Sequence, residues 1–240
     1  MMHYTNRDQF IVSAAGCMYT EPDSLESIMA GNENGASGCS IPLDLTQDNI
    51  AVLCARGGFR DASGAFHPVG ETDFIDLRRI VPKLVTVGQA LELAKSCAAK
   101  ICVQVKDATV CPHAKIALAH ADYVDNAYFG GLNLSEAAIV ANKNPALHIM
   151  GDVTSVPADV MALIRAAQDA GLFGLRADPD VLTPALCEEA LRCGLFLAAT
   201  NCVTLEEMES LLARGVNFIE TEHPDLVFSL KTDAPEEDEA

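Results

Sequence analysis

Polar side chains end many of the apolar segments of this chain, which is where ligand-binding groups lie in α/β proteins. Two of them are the cations Lys106 and Arg176, which could bind an anion together. Amide and hydroxyl groups that could complete such a site end other apolar segments. The expected ligand-binding residues are Lys106, Gln104, Asn126, Arg176, Thr200 and Asn201.

Acidic side chains end some of the same segments and leave a second interpretation open. Asp125 and Glu220 could pair with the two cations, with Asp152 and Glu222 on the same face, and the site would then be closed and structural. A buried lysine could also form a Schiff base, provided that burial lowers its pKa, but nearby acids would raise that pKa. The sequence favours a structural role for Lys106, with an acid as its partner.

Short apolar segments alternate with helical patterns, which is typical of repeated β-α units around a parallel sheet. The predicted strands are Phe10–Ala15, Cys39–Leu45, Lys100–Lys106, Tyr123–Ala127, Ala146–Met150, Leu172–Arg176, Leu195–Thr200 and Asn217–Thr221. The predicted helices are Ser24–Asn34, Val87–Cys97, Pro112–Ala119, Ser135–Asn142, Ala158–Ala170, Pro184–Cys193 and Leu205–Arg214. Ser135, Thr183 and Thr204 are predicted helix caps. Eight such units predict a single (β/α)₈ TIM barrel in the α/β class, whose strand ends meet at one mouth.

One stretch, at about residues 50–82, interrupts this alternation. It contains a further apolar segment, Ile50–Cys54, followed by the turn-rich residues Arg56–Gly64. We expect an insertion above the C-terminal ends of the strands, where barrels bind ligands. The barrel is predicted to cover residues 1–231, and the acidic residues 232–240 are predicted to be a solvated, disordered tail.

Composition limits the classes of protein that this chain can be. Its 240 residues carry a net charge of −18, which argues against binding to nucleic acid or to an anionic membrane surface. Half of the residues are hydrophobic but only 5% are aromatic, so we expect an aliphatic core. Nine scattered cysteines without a C-x-x-C pair indicate free thiols in a reducing cytoplasm. No apolar stretch is long enough for a transmembrane helix.

The segment Gly215–Leu226, G-V-N-F-I-E-T-E-H-P-D-L, resembles the closing strand of glycerophosphodiester phosphodiesterases, roughly G-V-D-G-I-x-T-D-x-P-D-L. Three further segments resemble motifs of that family in the same order. Gly38–Asn49 resembles G-x-E-x-D-V-x-L-T-x-D-G, Val103–Lys106 resembles the E-x-K strand, and Phe196–Asn201 resembles the strand that ends in W-T. The resemblance covers most of the chain and implies a TIM barrel of that family's type.

Active members of the family use a divalent cation held by carboxylates, Mg²⁺ or Ca²⁺, and two histidines that serve as acid and base. This chain lacks those groups at the corresponding positions. The first histidine motif reads Ala14-Ala15-Gly16, the second histidine position is Ala55, and the carboxylate positions are Pro22, Ser40, Pro42 and Gln104. The family's lysine is retained as Lys106. The resemblance therefore implies that the metal site is lost, and with it the cofactor and the catalytic residues.

We expect a non-catalytic relative that binds a small anionic or polyol molecule near Lys106, or that serves as an assembly module, including a homo-oligomer. Two alternatives are catalytic. One is a divergent, metal-independent hydrolase or lyase that uses Lys106 with Asp125 or Glu220. The other is a weakly active phosphoric diester hydrolase of lipid or glycerol metabolism. A structural protein that acts through self-association is a third alternative.

Overall fold

The structure is a computed structural model that describes residue 5 and residues 8–230. Within them, the strands are β1 (Phe10–Ser13), β2 (Gly38–Leu45), β3 (Ala51–Leu53), β4 (Gly58–Arg60), β5 (Phe66–Pro68), β6 (Lys100–Val105), β7 (Ala127–Gly130), β8 (His148–Val153), β9 (Gly174–Ala177), β10 (Phe196–Cys202) and β11 (Phe218–Thr221). The α-helices are α1 (Leu25–Glu33), α2 (Phe74–Ile80), α3 (Val87–Ser96), α4 (Val110–His120), α5 (Leu134–Lys143), α6 (Val160–Asp169), α7 (Pro184–Arg192), α8 (Leu205–Ala213) and α9 (Val227–Leu230). None of the helices in these residues is long and apolar enough to cross a membrane.

Eight of these strands run parallel and close into a barrel. Their order is β1, β2, β6, β7, β8, β9, β10 and β11, and β11 pairs with β1 to complete the circle. The parallel register carries across neighbouring strands, since Ser40 lies opposite Cys102 and Cys102 lies opposite Tyr128. The predicted (β/α)₈ barrel is thereby confirmed.

The fourth barrel strand lies four residues later than the sequence pattern predicts. The pattern predicts a strand at Tyr123–Ala127, but Val124–Asn126 form a 3₁₀ turn and β7 begins at Ala127. Packing explains the difference, because Tyr128 fills the barrel interior while Phe129 packs in the layer between strands and helices. The polar residues before this aromatic pair are left to form the turn.

Side-chain caps begin most of the helices that separate the strands. Thr204 and Glu207 form a reciprocal capping box at α8, and the Thr183 side chain accepts the Leu186 N–H at α7, as predicted. At α5 the prediction of Ser135 as the cap is wrong. The cap is Asn133, two residues earlier, whose side chain accepts the N–H groups of Ser135 and Glu136.

The core has two layers of different composition. Between the strands and the helices the buried residues are mainly aliphatic, as the sequence predicts. Inside the barrel, aromatic rings gather instead, with centroids 4.2 Å apart for Phe173 and Phe196 and 4.4 Å apart for Tyr128 and Phe218. Phe10 stacks on Phe218 as well, at 5.5 Å. Five aromatic residues, Phe10, Tyr128, Phe173, Phe196 and Phe218, thus fill the barrel interior below the mouth.

The stretch that interrupts the alternation builds a small layer of its own. β3 pairs antiparallel with the second half of β2, β4 and β5 form a hairpin, and α2 follows. A separate apolar cluster holds this layer together, with Val52, Val69, Leu77 and Leu84 buried in it. The barrel boundaries at residues 1–231 stay a prediction, and the predicted tail at 232–240 lies outside the described residues.

Replacing Phe218 by alanine tests the aromatic filling of the barrel. The ring is completely buried, so Phe218→Ala should lower the free energy of unfolding by about 3–5 kcal/mol through lost burial and a residual cavity. The matched control is Ile139→Ala on α5, where the side chain is 55% exposed, and its effect should stay within about 0.5 kcal/mol. Urea unfolding of both variants measures the difference; equal, small losses would contradict this account of the core.

Candidate functional site

A small pocket opens at the C-terminal ends of β2 and β6, and we call it the mouth pocket. Its volume is about 210 Å³, and its lining includes Pro42 and Gln104, which face each other across the two strands. Ala55, two residues after β3, Lys106 and Arg176 line it as well. The pocket therefore lies where the resemblance places two carboxylates and the second histidine.

Arg176 is the centre of a buried ionic network at this mouth. Its Nε and Nη2 atoms donate to Oε1 and Oε2 of Glu220 at 2.9 and 2.8 Å, which makes a bidentate pair, and its Nη1 donates to Asp152 Oδ2 at 2.8 Å. The Arg176 and Glu220 side chains are only 11% and 3% exposed. Of the two roles that the sequence allows for Arg176, binding an anion or pairing with an acid, the structure shows the ion pair.

Further donors complete the coordination of the two carboxylates. The Tyr128 hydroxyl donates to Glu220 Oε1 at 3.0 Å, and the Gln104 amide donates to Oε2 at 3.4 Å. The Gly131 N–H donates to Asp152 Oδ1 at 3.2 Å. Gly131 has a φ of +98°, and a Cβ there would meet the Val105 carbonyl oxygen at 2.3 Å, so only glycine fits this turn. The amide of Gln104, an expected ligand residue, is thus engaged by Glu220.

The pKa values of the two carboxyls move in opposite directions. Burial raises the Glu220 pKa, but the Arg176 charge and its hydrogen bonds, with those from Tyr128 and Cys102, outweigh this and hold the pKa below its usual range. For Asp152, burial dominates and raises the pKa, because Arg176 gives it a single N–H and the Gly131 N–H adds only one more. Arg176 therefore stabilises the ionised form of Glu220 more than that of Asp152.

Lys106 lies at the rim of the mouth pocket and is exposed. Its Nζ donates to the carbonyl oxygen of Ala55 at 2.6 Å, and the Ala55 N–H donates to Asp23 Oδ1 at 2.6 Å. Among the described residues Lys106 forms no ion pair within 4.0 Å, so the favoured interpretation of an acid partner is wrong. The sequence gives no signal for this contact, because the partner is a backbone carbonyl.

Thr200 and Asn201 end β10 and form a second cluster at the mouth. Both side chains donate to Oδ1 of Asp178, the Asn201 amide at 2.7 Å and the Thr200 hydroxyl at closer range. Asp178 follows β9 directly. Its position at a strand end is therefore a sequence signal for a mouth residue, although Asp178 is not among the expected site residues. Thr200 and Asn201 are thereby tied to an acid next to β9, and neither lines the mouth pocket.

Asn126 is at the opposite end of the barrel from the other expected ligand residues. It precedes β7, and its Oδ1 accepts a hydrogen bond of 2.7 Å from Nζ of Lys100, the first residue of β6. Asp125, in the same 3₁₀ turn, is at this end too and is not a partner of Lys106. The expectation that Asn126 contributes to a mouth site is wrong. Asn126 precedes β7 instead of ending it, so it lies at the N-terminal end of the strand, away from the mouth.

Several solved structures share this architecture at low sequence identity. A putative glycerophosphoryl diester phosphodiesterase from Silicibacter pomeroyi DSS-3 matches with a TM-score of 0.78 and 15% identity, over 95% of this chain and 94% of that chain. A glycerophosphodiester phosphodiesterase from Parabacteroides distasonis matches with a TM-score of 0.77 and 18% identity, over 94% and 98%. The fold is that of the glycerophosphodiester phosphodiesterases.

A phosphodiesterase from Oleispira antarctica, in complex with the product sn-glycerol-3-phosphate, is similar as well, with a TM-score of 0.79 and 13% identity over 93% of this chain and 96% of that chain. No family model matches the chain, and no curated protein matches it significantly in sequence. The predicted resemblance to the glycerophosphodiester phosphodiesterases is thus confirmed at the level of the fold.

The donor set at the mouth does not fit the divalent cation that this phosphodiesterase fold implies. The two carboxylates in the network, Glu220 and Asp152, both accept from the Arg176 guanidinium. The buried Ser40 hydroxyl has no hydrogen-bond partner in the described part of the chain, but one hydroxyl is a poor ligand for Mg²⁺ or Ca²⁺. Residues 8–230 contain no cluster of three His, Cys, Asp or Glu side chains that could hold a metal.

Replacing Arg176 by methionine tests the network and its pH dependence. Arg176→Met leaves Glu220 buried without its cation, so unfolding at about pH 7 should become easier by about 3–5 kcal/mol. The paired Glu220 has a lowered pKa, so its contribution is present above the unfolded pKa and is lost as the pH falls through the folded pKa. In the variant, the unpaired carboxyl regains stability when it is protonated.

The difference in unfolding free energy between parent and Arg176→Met should therefore shrink from about pH 7 to about pH 4.5. Arg192→Met is the matched control, because Arg192 forms an exposed pair with Glu189 whose loss should cost less than about 1 kcal/mol at either pH. Chemical denaturation at both pH values measures these differences. A loss that is independent of pH, or no larger than that of the control, would contradict the proposed role of the pair.

Proposed function

We propose that this protein is a non-catalytic barrel of the glycerophosphodiester phosphodiesterase type that binds a small anionic molecule at its mouth through Lys106. The observation that carries the proposal is the exposed Lys106 ammonium, whose hydrogen-bond partner is the neutral carbonyl of Ala55. An ammonium group has three N–H donors, so further donors remain for a ligand. Arg176 lines the same pocket but is compensated by two carboxylates, which leaves the recognition of charge to Lys106.

The size of the mouth pocket supports a small ligand. A volume of about 210 Å³ is below the 300–1,000 Å³ that is usual for drug-sized ligands, so a phosphate or a short phosphorylated polyol is the expected class. The Oleispira antarctica phosphodiesterase of similar fold holds sn-glycerol-3-phosphate. That compound is therefore the natural first probe for this protein.

The proposal that the barrel is non-catalytic depends on the missing acid, base and metal ligands. Ala14 and Ala55 stand where the resemblance places the histidines, and none of the five described histidines lines the mouth pocket. A lysine-based hydrolase or lyase would need an acid beside Lys106, whereas Asp125 lies at the other end of the barrel and Glu220 is held by Arg176. Lys106 is also exposed, so it lacks the burial that Schiff-base chemistry requires.

We place the protein in the cytoplasm on the basis of its thiols. All nine cysteines lie within the described residues, and all are free. Seven of them have a pKa raised by burial, among them Cys39 and Cys202, both at about 12, so these thiols are chemically quiet. Unpaired buried thiols suit a reducing compartment. Self-association stays a prediction from the sequence.

The protein should not hydrolyse glycerophosphocholine in the presence of Mg²⁺ or Ca²⁺. General acid–base catalysis is worth roughly 10²–10⁴ in rate, and its groups are alanines here. The measurement is choline release, with an active phosphodiesterase of the same fold as the positive control. The corresponding repair variant restores both histidines and three carboxylates of the family pattern: Ala14→His/Ala55→His/Ser40→Glu/Pro42→Asp/Gln104→Glu. Metal-dependent turnover by the parent protein would overturn the non-catalytic assignment.

Anion binding at Lys106 should be visible as thermal stabilisation. At a concentration of sn-glycerol-3-phosphate about 100 times its Kd, the melting temperature should rise by roughly 5–10 °C, because binding to the native state stabilises it. Lys106→Met keeps the aliphatic stem and removes the charge, so it should abolish the rise while the unliganded protein melts almost as before. Lys143→Met, at an exposed position on α5, is the control and should keep the full rise.

The comparison requires constant ionic strength, because salt alone alters surface electrostatics. An equal rise in melting temperature in the parent and in Lys106→Met would show that Lys106 does not bind the anion. No rise in the parent, together with a large loss of stability in Lys106→Met, would show that Lys106 has a purely structural role.

A further inference from the structure

A second and larger cavity lies beside the mouth, between α1 and the layer that contains the β4–β5 hairpin and α2. We call it the insertion groove. Its volume is about 970 Å³, at the upper end of the range for small-molecule sites. Leu25 and Met29 of α1 form one wall, while Phe59 and Phe66 of the hairpin form part of the other. The mouth pocket and the insertion groove share no lining residue.

Four cations and three acids line this groove, so its lining carries a small excess of positive charge, although the chain as a whole carries a net charge of −18. Arg56, Arg60, Arg78 and Lys83 line it. Lys83 has an acid partner, Glu26, at 3.5 Å. In the part of the chain that the structure describes, the three arginines form no ion pair within 4.0 Å. Their charges are therefore available to a ligand.

Two of these arginines contact aromatic rings and, in one case, a backbone carbonyl, and neither pairs with an acid. The Arg60 guanidinium lies 5.6 Å from the centre of the Phe66 ring, and its Nη1 donates to the Gly64 carbonyl at 2.8 Å. The Arg78 guanidinium lies 5.6 Å from the centre of the Phe74 ring. Such contacts orient a guanidinium without cancelling its charge, and they leave N–H donors for a carboxylate or phosphate.

Two of the three acidic groups of the groove have a partner of their own. The Asp23 carboxylate accepts the Ala55 N–H, and burial raises its pKa in spite of that hydrogen bond and the Arg56 charge. Glu26 pairs with Lys83, which leaves Glu21 as the remaining acid of the lining. The groove thus presents more free positive than free negative charge.

Apolar side chains are exposed next to these charges. Met29 is 46% exposed and Phe66 is 47% exposed, and both line the groove. The side chains of Leu84 and Val85, which are buried, form part of its lining as well. The apolar part of a ligand in the groove could cover these side chains.

The backbone of Ala55 lies between residues of the two cavities and contacts both. Its N–H bonds to Asp23, which lines the groove, and its carbonyl accepts from Lys106, which lines the mouth pocket. Ligands in the two cavities would therefore contact opposite sides of one short segment. Each cavity has its own cations, so binding in one can be tested by mutations that spare the other.

We propose that the insertion groove is a binding site for an organic anion with an apolar chain, whose charged group is held by the arginines and whose chain packs against Met29 and Phe66. This site is independent of the anion site proposed at Lys106. A purely polar anion would leave the exposed apolar wall uncovered, and a neutral apolar molecule would leave the positive charge of the arginines uncompensated. The combination of the two surfaces specifies an anionic amphiphile.

The test uses decyl phosphate below its micelle concentration, titrated into the full-length protein by calorimetry. We expect one decyl phosphate to bind in the insertion groove, at a site that remains in Lys106→Met, and at least about tenfold weaker binding there of decyltrimethylammonium, which has the same chain and the opposite charge. Arg60→Gln/Arg78→Gln should weaken decyl phosphate binding by about a hundredfold, because each of the two lost charge-assisted contacts is worth about a factor of ten. Met29→Glu, which places an acid on the apolar wall, should weaken it as well.

The chain offers a close control in Arg79→Gln. Arg79 is adjacent to Arg78 on α2 but lies outside the groove lining and pairs with Asp76 at 2.5 Å, so this variant should bind decyl phosphate like the parent. Lys106→Met should also bind it like the parent. Cooperative thermal melting of each variant checks that it is folded.

Three results would overturn the proposal. Equal affinity for the anionic and the cationic amphiphile would mean that the arginines play no part. Loss of decyl phosphate binding in Lys106→Met, with normal binding in the arginine variant, would place the ligand in the mouth pocket. The absence of stoichiometric binding to the parent would mean that the groove is not a site for this class. None of these results depends on the thermal response to sn-glycerol-3-phosphate, so the two proposals fail separately.

Discussion

The ion pair between Arg176 and Glu220 is the contact on which the barrel mouth depends. Glu220 points into the barrel from β11, where an ionised carboxylate without a cation would cost several kcal/mol. Arg176 reaches it from β9 across the intervening strand β10, with two parallel hydrogen bonds. The same guanidinium then extends to Asp152 on β8. The Arg176 side chain on β9 thus connects β8 on one side with β11 on the other. Because it lines the mouth pocket, its position also helps to shape that pocket.

This arrangement gives a physical reason why the mouth of this barrel differs from that of the family it resembles. There, a divalent cation compensates carboxylates and can still bind a substrate oxygen. Here, a cation that is part of the chain compensates the carboxylates, and its donors are directed at them. A guanidinium offers no open coordination position. Ser40, Pro42 and Gln104 stand where the resemblance places carboxylates, and a carboxylate at such a position without a metal would be uncompensated.

The sequence predicts the barrel well because its strands and caps follow local rules. The alternation of apolar segments, and caps such as Thr204 with Glu207, locate most elements to within a few residues. The site is predicted less well, and one error accounts for much of this. Placing the fourth strand at Tyr123–Ala127 assigns Asp125 and Asn126 to the mouth, whereas its true start at Ala127 puts both at the other end. Only the packing of Tyr128 and Phe129 on opposite faces reveals the correct register.

Lys106 shows what a sequence cannot supply even when the strands are correct. Its charge suggests an acid partner, and a chain with a net charge of −18 offers many. Its actual partner is a carbonyl oxygen, in a segment that also donates its N–H to Asp23. That segment belongs to the inserted layer, and adjacent residues in it line the two cavities: Cys54 and Ala55 line the mouth pocket, and Arg56 and Gly58 line the insertion groove. The insertion thus divides the region above the barrel into two cavities. In an acidic protein, each of the two retains a cation that forms no ion pair among the described residues, and this is the strongest physical reason to look for anions in both.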